Sequence, residues 1–171
     1  EEPGFPEFEA GPSAGPPANI AAHLPAMAAA QPDAFAIFFP DGRDRRGRVR
    51  YTHYTYRQLD DASDRIARGL RAYGVTPGTR VALMVRPSLE LFSLVFGLFK
   101  TGAVPVMIDP GIGLRHLKAC LDRARPEVFL GIPTAQLARL VLRWAKGSVR
   151  TVITVGQIGR ASCRERVCHR V

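Results

Sequence analysis

The chain has 171 residues, with 24 Lys and Arg against 15 Asp and Glu, a formal net charge of +9. Apolar residues make up 46% and charged residues 23%, the balance of a globular chain rather than a disordered one. No uninterrupted apolar run approaches the roughly 20 residues that a transmembrane helix needs, so no transmembrane segment is predicted.

Residues 1–18 hold Pro3, Pro6, Pro12, Pro16 and Pro17 with Gly4, Gly11 and Gly15. Such a stretch buries too little apolar surface to offset its ordering entropy and is expected to be a disordered arm. It lacks the basic start and apolar core of a secretory signal. Residues 19–156 then have the length of a single domain. Asn19 is placed to cap a short helix through Ile20, Leu24 and Met27 that ends before Pro32. Residues 35–39 form a brief apolar run closed by Pro40-Asp41-Gly42, a turn sequence. The basic stretch 43–50 is expected at a hairpin tip, followed by an alternating strand over 49–54.

Thr55 and Gln58 stand as a capping box before Leu59, Ala62, Ile66, Leu70 and Tyr73, which recur at helical spacing. Asp61/Arg65 and Asp64/Arg68 are placed as i,i+4 pairs on its wet face, and Gly74 supplies the stop. After Pro77-Gly78, residues 80–85 are nearly all apolar, as in a buried parallel strand. Ser88 caps an apolar helix over 89–101, ended by Gly102 and expected to be the most buried of the helices. A strand over 104–108 leads to a helix striped by Leu114, Leu117, Leu121 and Ala124, with Cys120 on its inner side. A strand over 127–130 precedes a helix striped by Leu137, Leu140, Val141 and Trp144 and stopped at Gly147. The final strand covers 149–155. Strands alternating with helices of this length predict an α/β fold, a mostly parallel sheet with flanking helices.

The last fifteen residues, 157–171, depart from this pattern. They contain Cys163 and Cys168 and carry three of the nine net positive charges. They show neither helical nor strand periodicity. With His169 alone beside them, the two cysteines do not make up the four ligands of a structural zinc site. Residues 157–167 are what a widely used DNA-sequencing adapter yields on translation, so 157–171 are expected to be non-native and to pack against nothing. Outside this tail only Cys120 remains. No disulfide framework is then predicted, and the usage fits a cytoplasmic protein.

Chemistry-bearing motifs are sparse. MIDPGIGLRH, residues 107–116, follows a strand and precedes a helix, which puts Asp109, Gly111 and Gly113 where α/β proteins hold ligands. These three are the candidate cofactor-binding residues. A dinucleotide loop would continue with glycine at position 116, where His116 stands, so a tight structural turn is the plainer reading. His23, His53 and His116 share no metal-ligand spacing. Tyr51, Tyr54 and Tyr56 could stack bases beside Arg48 and Arg50, but cross-strand packing accounts for them more simply. No nucleophile elbow and no Walker-type loop is present, and no catalytic or metal residue is assigned.

The stretch TYRQLDDASDRIARGLRAYGVTPGTRVALMVRPSLELFSLVFGLFKTGAVPVMIDP resembles the amino-terminal part of the adenylate-forming enzymes, the AMP-dependent acyl-CoA synthetases and ligases. Thr55, Tyr56, Leu59, Gly74, Val75, Gly78, Val81, Ser88, Glu90, Gly102, Ala103 and Pro110 carry the resemblance. Thr79 departs from it, standing where the family usually has Asp. The following DPGIGLRHLKACLDRARPEVFLGIP resembles fatty-acid–CoA ligase-like members, including the β-lactone synthetases of bacterial olefin biosynthesis. The resemblance implies an enzyme that joins a carboxylate to ATP, with Mg, giving an acyl-adenylate and pyrophosphate. The adenylate then passes to CoA or is captured by the substrate's own β-hydroxyl. It also implies a Ser/Thr/Gly-rich phosphate loop ending in Pro-Lys and a second catalytic lysine in a carboxyl-terminal domain. Neither occurs in this chain, so residues 19–156 are expected to be a partial adenylation domain, inactive alone and binding no cofactor. Two other readings compete. One is a free-standing flavodoxin-like nucleotide-binding module. The other is a basic nucleic-acid-binding domain, whose affinity would fall steeply with salt and which the scattered charge disfavours.

Overall fold

The four apolar runs predicted as parallel strands form one sheet. A computed structural model of the chain describes residues 19–108 and 113–155. The sheet contains β3 (Arg80–Met84), β4 (Val104–Met107), β5 (Val128–Gly131) and β6 (Thr151–Thr154), in the order β4-β3-β5-β6 and parallel throughout. Val81 aligns with Pro105 on one side and Val128 on the other, and Val128 aligns with Thr151. Central β3 and β5 bury nearly every side chain, as parallel strands covered on both faces must.

Alternation along the strands divides the core in two. Val81, Leu83, Val128, Leu130 and Ile153 face α2 (Tyr56–Ala72) and α3 (Leu89–Thr101), meeting Leu70, Leu94 and Leu98. Ala82 and Phe129 face the other way, toward Leu117 and Leu121 of α4 (Leu114–Ala124), Ala135 of α5 (Pro133–Leu142) and Trp144. From β3 the chain moves one way to β4, then crosses back over β3 to reach β5. Crossovers of one hand that reverse direction put α3 and α4 on opposite faces.

Local signals explain most element boundaries. Asn19 Oδ1 accepts the Ala21 amide and opens a 3-10 turn, Ile20–Ala22, that runs into α1 (His23–Ala30). Both bonds of the capping box are made at Thr55 and Gln58. Gly102 closes α3 at φ 74, a left-handed conformation that a residue with a Cβ enters at a cost. Thr79 Oγ1 accepts the Thr76 amide at 3.1 Å, so the departure from the family's Asp keeps an acceptor in that turn. α3 buries Leu89, Ser93, Leu94, Gly97, Leu98 and Thr101, a longer set than any other helix, as expected of it.

The structure corrects several expectations. Pro40-Asp41-Gly42 does not close the first strand. β1 (Phe35–Arg43) runs through it and pairs antiparallel with β2 (Val49–Thr55), absorbing an irregularity between Pro40 and Arg43. The turn is made instead at Asp44, whose carboxylate accepts the Arg46 and Arg48 amides at 2.8 and 3.0 Å and the Arg48 guanidinium at 2.9 Å. These bonds, the Arg48 amide foremost, hold its carboxyl below the usual range. His53 sits against the Phe35 ring, with centroids 4.5 Å apart, because the side chains of one hairpin face meet across the strands. Asp64 pairs with Lys100 of α3, not with Arg68. Cys120 is exposed, because it lies off the Leu117/Leu121 stripe that α4 turns to the sheet.

The largest correction is α5. It ends at Leu142, not Gly147, where Arg143 and then Ala145 take left-handed conformations. Leu137, Leu140 and Val141 face outward, and the small Ala135 and Ala138 face the sheet. Trp144, swung inward by the break, fills the space beside Phe129 that the leucines were expected to fill.

Candidate functional site

Three helix starts converge on the carboxyl edge of the sheet. Ser88 caps α3, its Oγ accepting the Leu91 amide at 3.3 Å, while Gly113 stands before α4 and Ile132 before α5. Numbered within the sheet alone, the strand order is 2-1-3-4, the flavodoxin-like doubly wound order. Its topological switch point lies between β3 and β5, where one connection leaves for α3 on one face and the next for α5 on the other. Ligands of open α/β sheets bind at such crevices.

The crevice is closely drawn at its floor. The Ile132 amide donates to Met84 O at 3.1 Å, and the Val155 amide to Gly131 O at 3.0 Å. A Cβ on Gly131 would stand 3.0 Å from Phe129 Cε1 and 3.2 Å from Met84 O, so glycine is what lets these strand ends approach. Exposed Arg86 and Pro87 form the turn above β3. Helix amide ends and one cation make this edge suited to an anion. The described residues place no nucleophile beside a general base here, so they offer a platform rather than a reacting centre.

Of the candidate residues, Gly113 lies at this edge, with φ 82 and no atom within 4 Å of where its Cβ would be. Its glycine answers a backbone demand, in keeping with a strand-to-helix turn. Asp109 and Gly111 lie outside the described residues. Sequence reading missed the contribution of Arg86, Ser88 and Gly131. Only the pairing of β3 with β5 brings Gly131 beside the end of β3 and its following turn, and no local signal encodes that pairing.

Two open concavities lie elsewhere. One, of about 560 Å³, is at the amino end of the sheet between Asn19, Arg71, Pro77 and Gly102; the other, of about 400 Å³, borders the end of α5. Among the described residues no group of three or more His, Cys, Asp or Glu could hold a metal ion. None of their helices is long and apolar enough to cross a membrane.

Residues 24–167 match the family model described as AMP-binding enzyme. The chain belongs to this family. It is 54% identical over 143 residues to an olefin beta-lactone synthetase of Stenotrophomonas maltophilia, a match covering 82% of this chain and 26% of that protein. It is 52% identical over 139 residues to the olefin beta-lactone synthetase of Xanthomonas campestris pv. campestris, covering 81% and 25%. The chain thus spans about a quarter of the length of these curated relatives. Among solved structures, a Mycobacterium tuberculosis fatty acyl CoA synthetase aligns with a TM-score of 0.64 at 25% identity, over 81% of this chain and 26% of that one.

The resemblance read from the sequence is therefore borne out, as is the α/β class with its parallel sheet. The AMP-binding family is one of adenylate-forming, acyl-activating ligases. The described residues do not by themselves fit ATP and its metal. They supply helix ends and a switch-point crevice, but no phosphate loop, no lysine at the edge and no carboxylate cluster for a cation. No step of adenylation is assigned to them.

Proposed function

We propose that this chain is the amino-terminal part of an adenylation domain whose whole protein activates a β-hydroxy fatty acid in the cytoplasm and closes it to a β-lactone. The carboxylate attacks the α-phosphorus of ATP, with Mg, forming an acyl-adenylate and releasing pyrophosphate. The substrate's β-hydroxyl oxygen then attacks the acyl carbon, AMP leaves, and the hydroxyl proton is lost. The 54% identity to an olefin beta-lactone synthetase over most of the chain carries this reading. A second reading hands the adenylate to CoA, and the likeness to a fatty acyl CoA synthetase favours it.

Within that protein, residues 19–156 would supply the sheet edge and helix ends against which a phosphate loop packs. Adenylation needs cationic and backbone donors placed at the transferring phosphoryl group, and the chain carries neither the phosphate loop nor the lysines that the family resemblance implies. The test is carboxylate-dependent ATP–pyrophosphate exchange. The 171-residue chain should show none above a heat-killed control, whereas a full-length protein carrying this segment should exchange with β-hydroxy fatty acids and release lactone. Exchange by the chain alone would mean that the reacting groups lie within it. Thioester in place of lactone from the full-length protein would favour the second reading.

A further inference from the structure

The outward face of α5 is apolar in its middle and basic at its rim. Leu137, Leu140 and Val141 recur at i, i+3 and i+4 on that face, and are 63%, 64% and 70% exposed. Residues 132–155 contain Arg139, Arg143, Lys146 and Arg150 and not one Asp or Glu. Among the described residues, none of these four cations has a carboxylate partner. Arg139 turns the other way, over the buried Phe129 ring at 5.8 Å with its Nε buried and unbonded, so the cations at the rim are the exposed Arg143 and Lys146, which border the concavity of about 400 Å³ beside Leu140 and Val141.

We infer that this face of α5 docks on an anionic membrane surface, its aliphatic side chains entering the acyl boundary and its cations meeting the headgroups. A short helix with leucines outward and Arg and Lys beside them has the chemistry of a peripheral anchor, one that lies on a bilayer without crossing it. Charge complementarity selects the occupant. A second copy of the chain would bring two all-basic rims together, which repel. An anionic leaflet neutralises them, at about 1 kcal/mol for each Lys or Arg near its surface. This inference is independent of the reaction proposed above.

The test is co-sedimentation of the 171-residue chain with phosphatidylcholine vesicles, with and without phosphatidylglycerol. Binding should require the anionic lipid and fall with added salt. Leu137→Glu/Val141→Glu and Arg143→Gln/Lys146→Gln alter exposed side chains, so circular dichroism should show the fold intact. Each pair should weaken binding, the cation pair by about 10- to 30-fold. The control pair Arg164→Gln/Arg166→Gln, in the basic tail, should leave the dependence on α5 unchanged. Three results would overturn the inference: no binding to anionic vesicles, binding indifferent to both α5 pairs, or binding abolished by the tail pair alone. Sedimentation velocity showing that the α5 pairs dissolve a dimer would overturn it too.

Discussion

Lys100 reaches from the last turn of α3 to two carboxylates of α2, with Nζ 2.5 Å from Asp60 Oδ1 and 2.5 Å from Asp64 Oδ1, and also donates to the Asp60 carbonyl at 3.2 Å. The lysine side chain is only 10% exposed, while Asp60 and Asp64 are 19% and 49% exposed. Removing the cation would leave two carboxylates one helical turn apart with no shared partner, and Asp60 is poorly placed to recover water. Lys100→Met should therefore cost about 1–3 kcal/mol, toward the low end because Asp64 is half in solvent. The check is the urea midpoint at unchanged slope; Asp60→Asn in the same background should recover part of the loss. The sequence offered Arg68 to Asp64 by the i,i+4 rule. An exposed pair of that kind gains only a few tenths of a kcal/mol and yields to a nearly buried lysine from another helix.

At the scale of elements, α2 and α3 cross at small residues that sequence periodicity passes over. A Cβ on Gly97 would lie 2.6 Å from Ile66 Cγ2, 3.0 Å from Ile66 Cβ and 3.2 Å from Ser63 O. Ile66 is stiff at Cβ and Ser63 O is backbone, so neither gives way readily. Gly97→Ala should gain about 1 kcal/mol in helix propensity and lose more to overpacking, a net destabilisation of about 1–2 kcal/mol. Gly69→Ala, in α2 with nothing within 4 Å of its Cβ, should instead stabilise by about 0.5–1 kcal/mol. Thermal unfolding of the pair decides: both shifting in one direction would mean that the helices do not approach as described. α5 carries the complementary lesson. Its 3.6-residue period was legible, but the side that faces the sheet was not. Leu137, Leu140 and Val141 make as good an apolar stripe as Ala135 and Ala138, and only the inward Trp144 settles which is covered.

At the scale of the whole molecule, sequence reading divides the chain into an arm over 1–18, the domain over 19–156 and a non-native tail over 157–171. We propose that the tail contributes nothing to the fold, on the strength of its likeness to a translated adapter and its lack of an apolar face. Deleting 157–171 should then change stability by less than about 0.5 kcal/mol, read from the urea midpoint. The family match runs through residue 167, so a loss above about 1 kcal/mol would instead mean that these residues are native and packed.

The sequence by itself determined the α/β class, the parallel strands expected near residues 80, 104, 127 and 149, the capping box at Thr55 and the family. These follow from local periodicity, from turn and cap chemistry, and from strings of residues held in order. Only the tertiary structure decided the strand order β4-β3-β5-β6, the switch-point crevice over Gly131, the Lys100 bridge and the outward leucines of α5. Each of these depends on which elements meet across the sheet, and a residue's sequence neighbours carry no record of a strand partner 23 to 47 positions away. That partner is chosen by packing, where burying Trp144 and Phe129 together outweighs the propensity of any one segment.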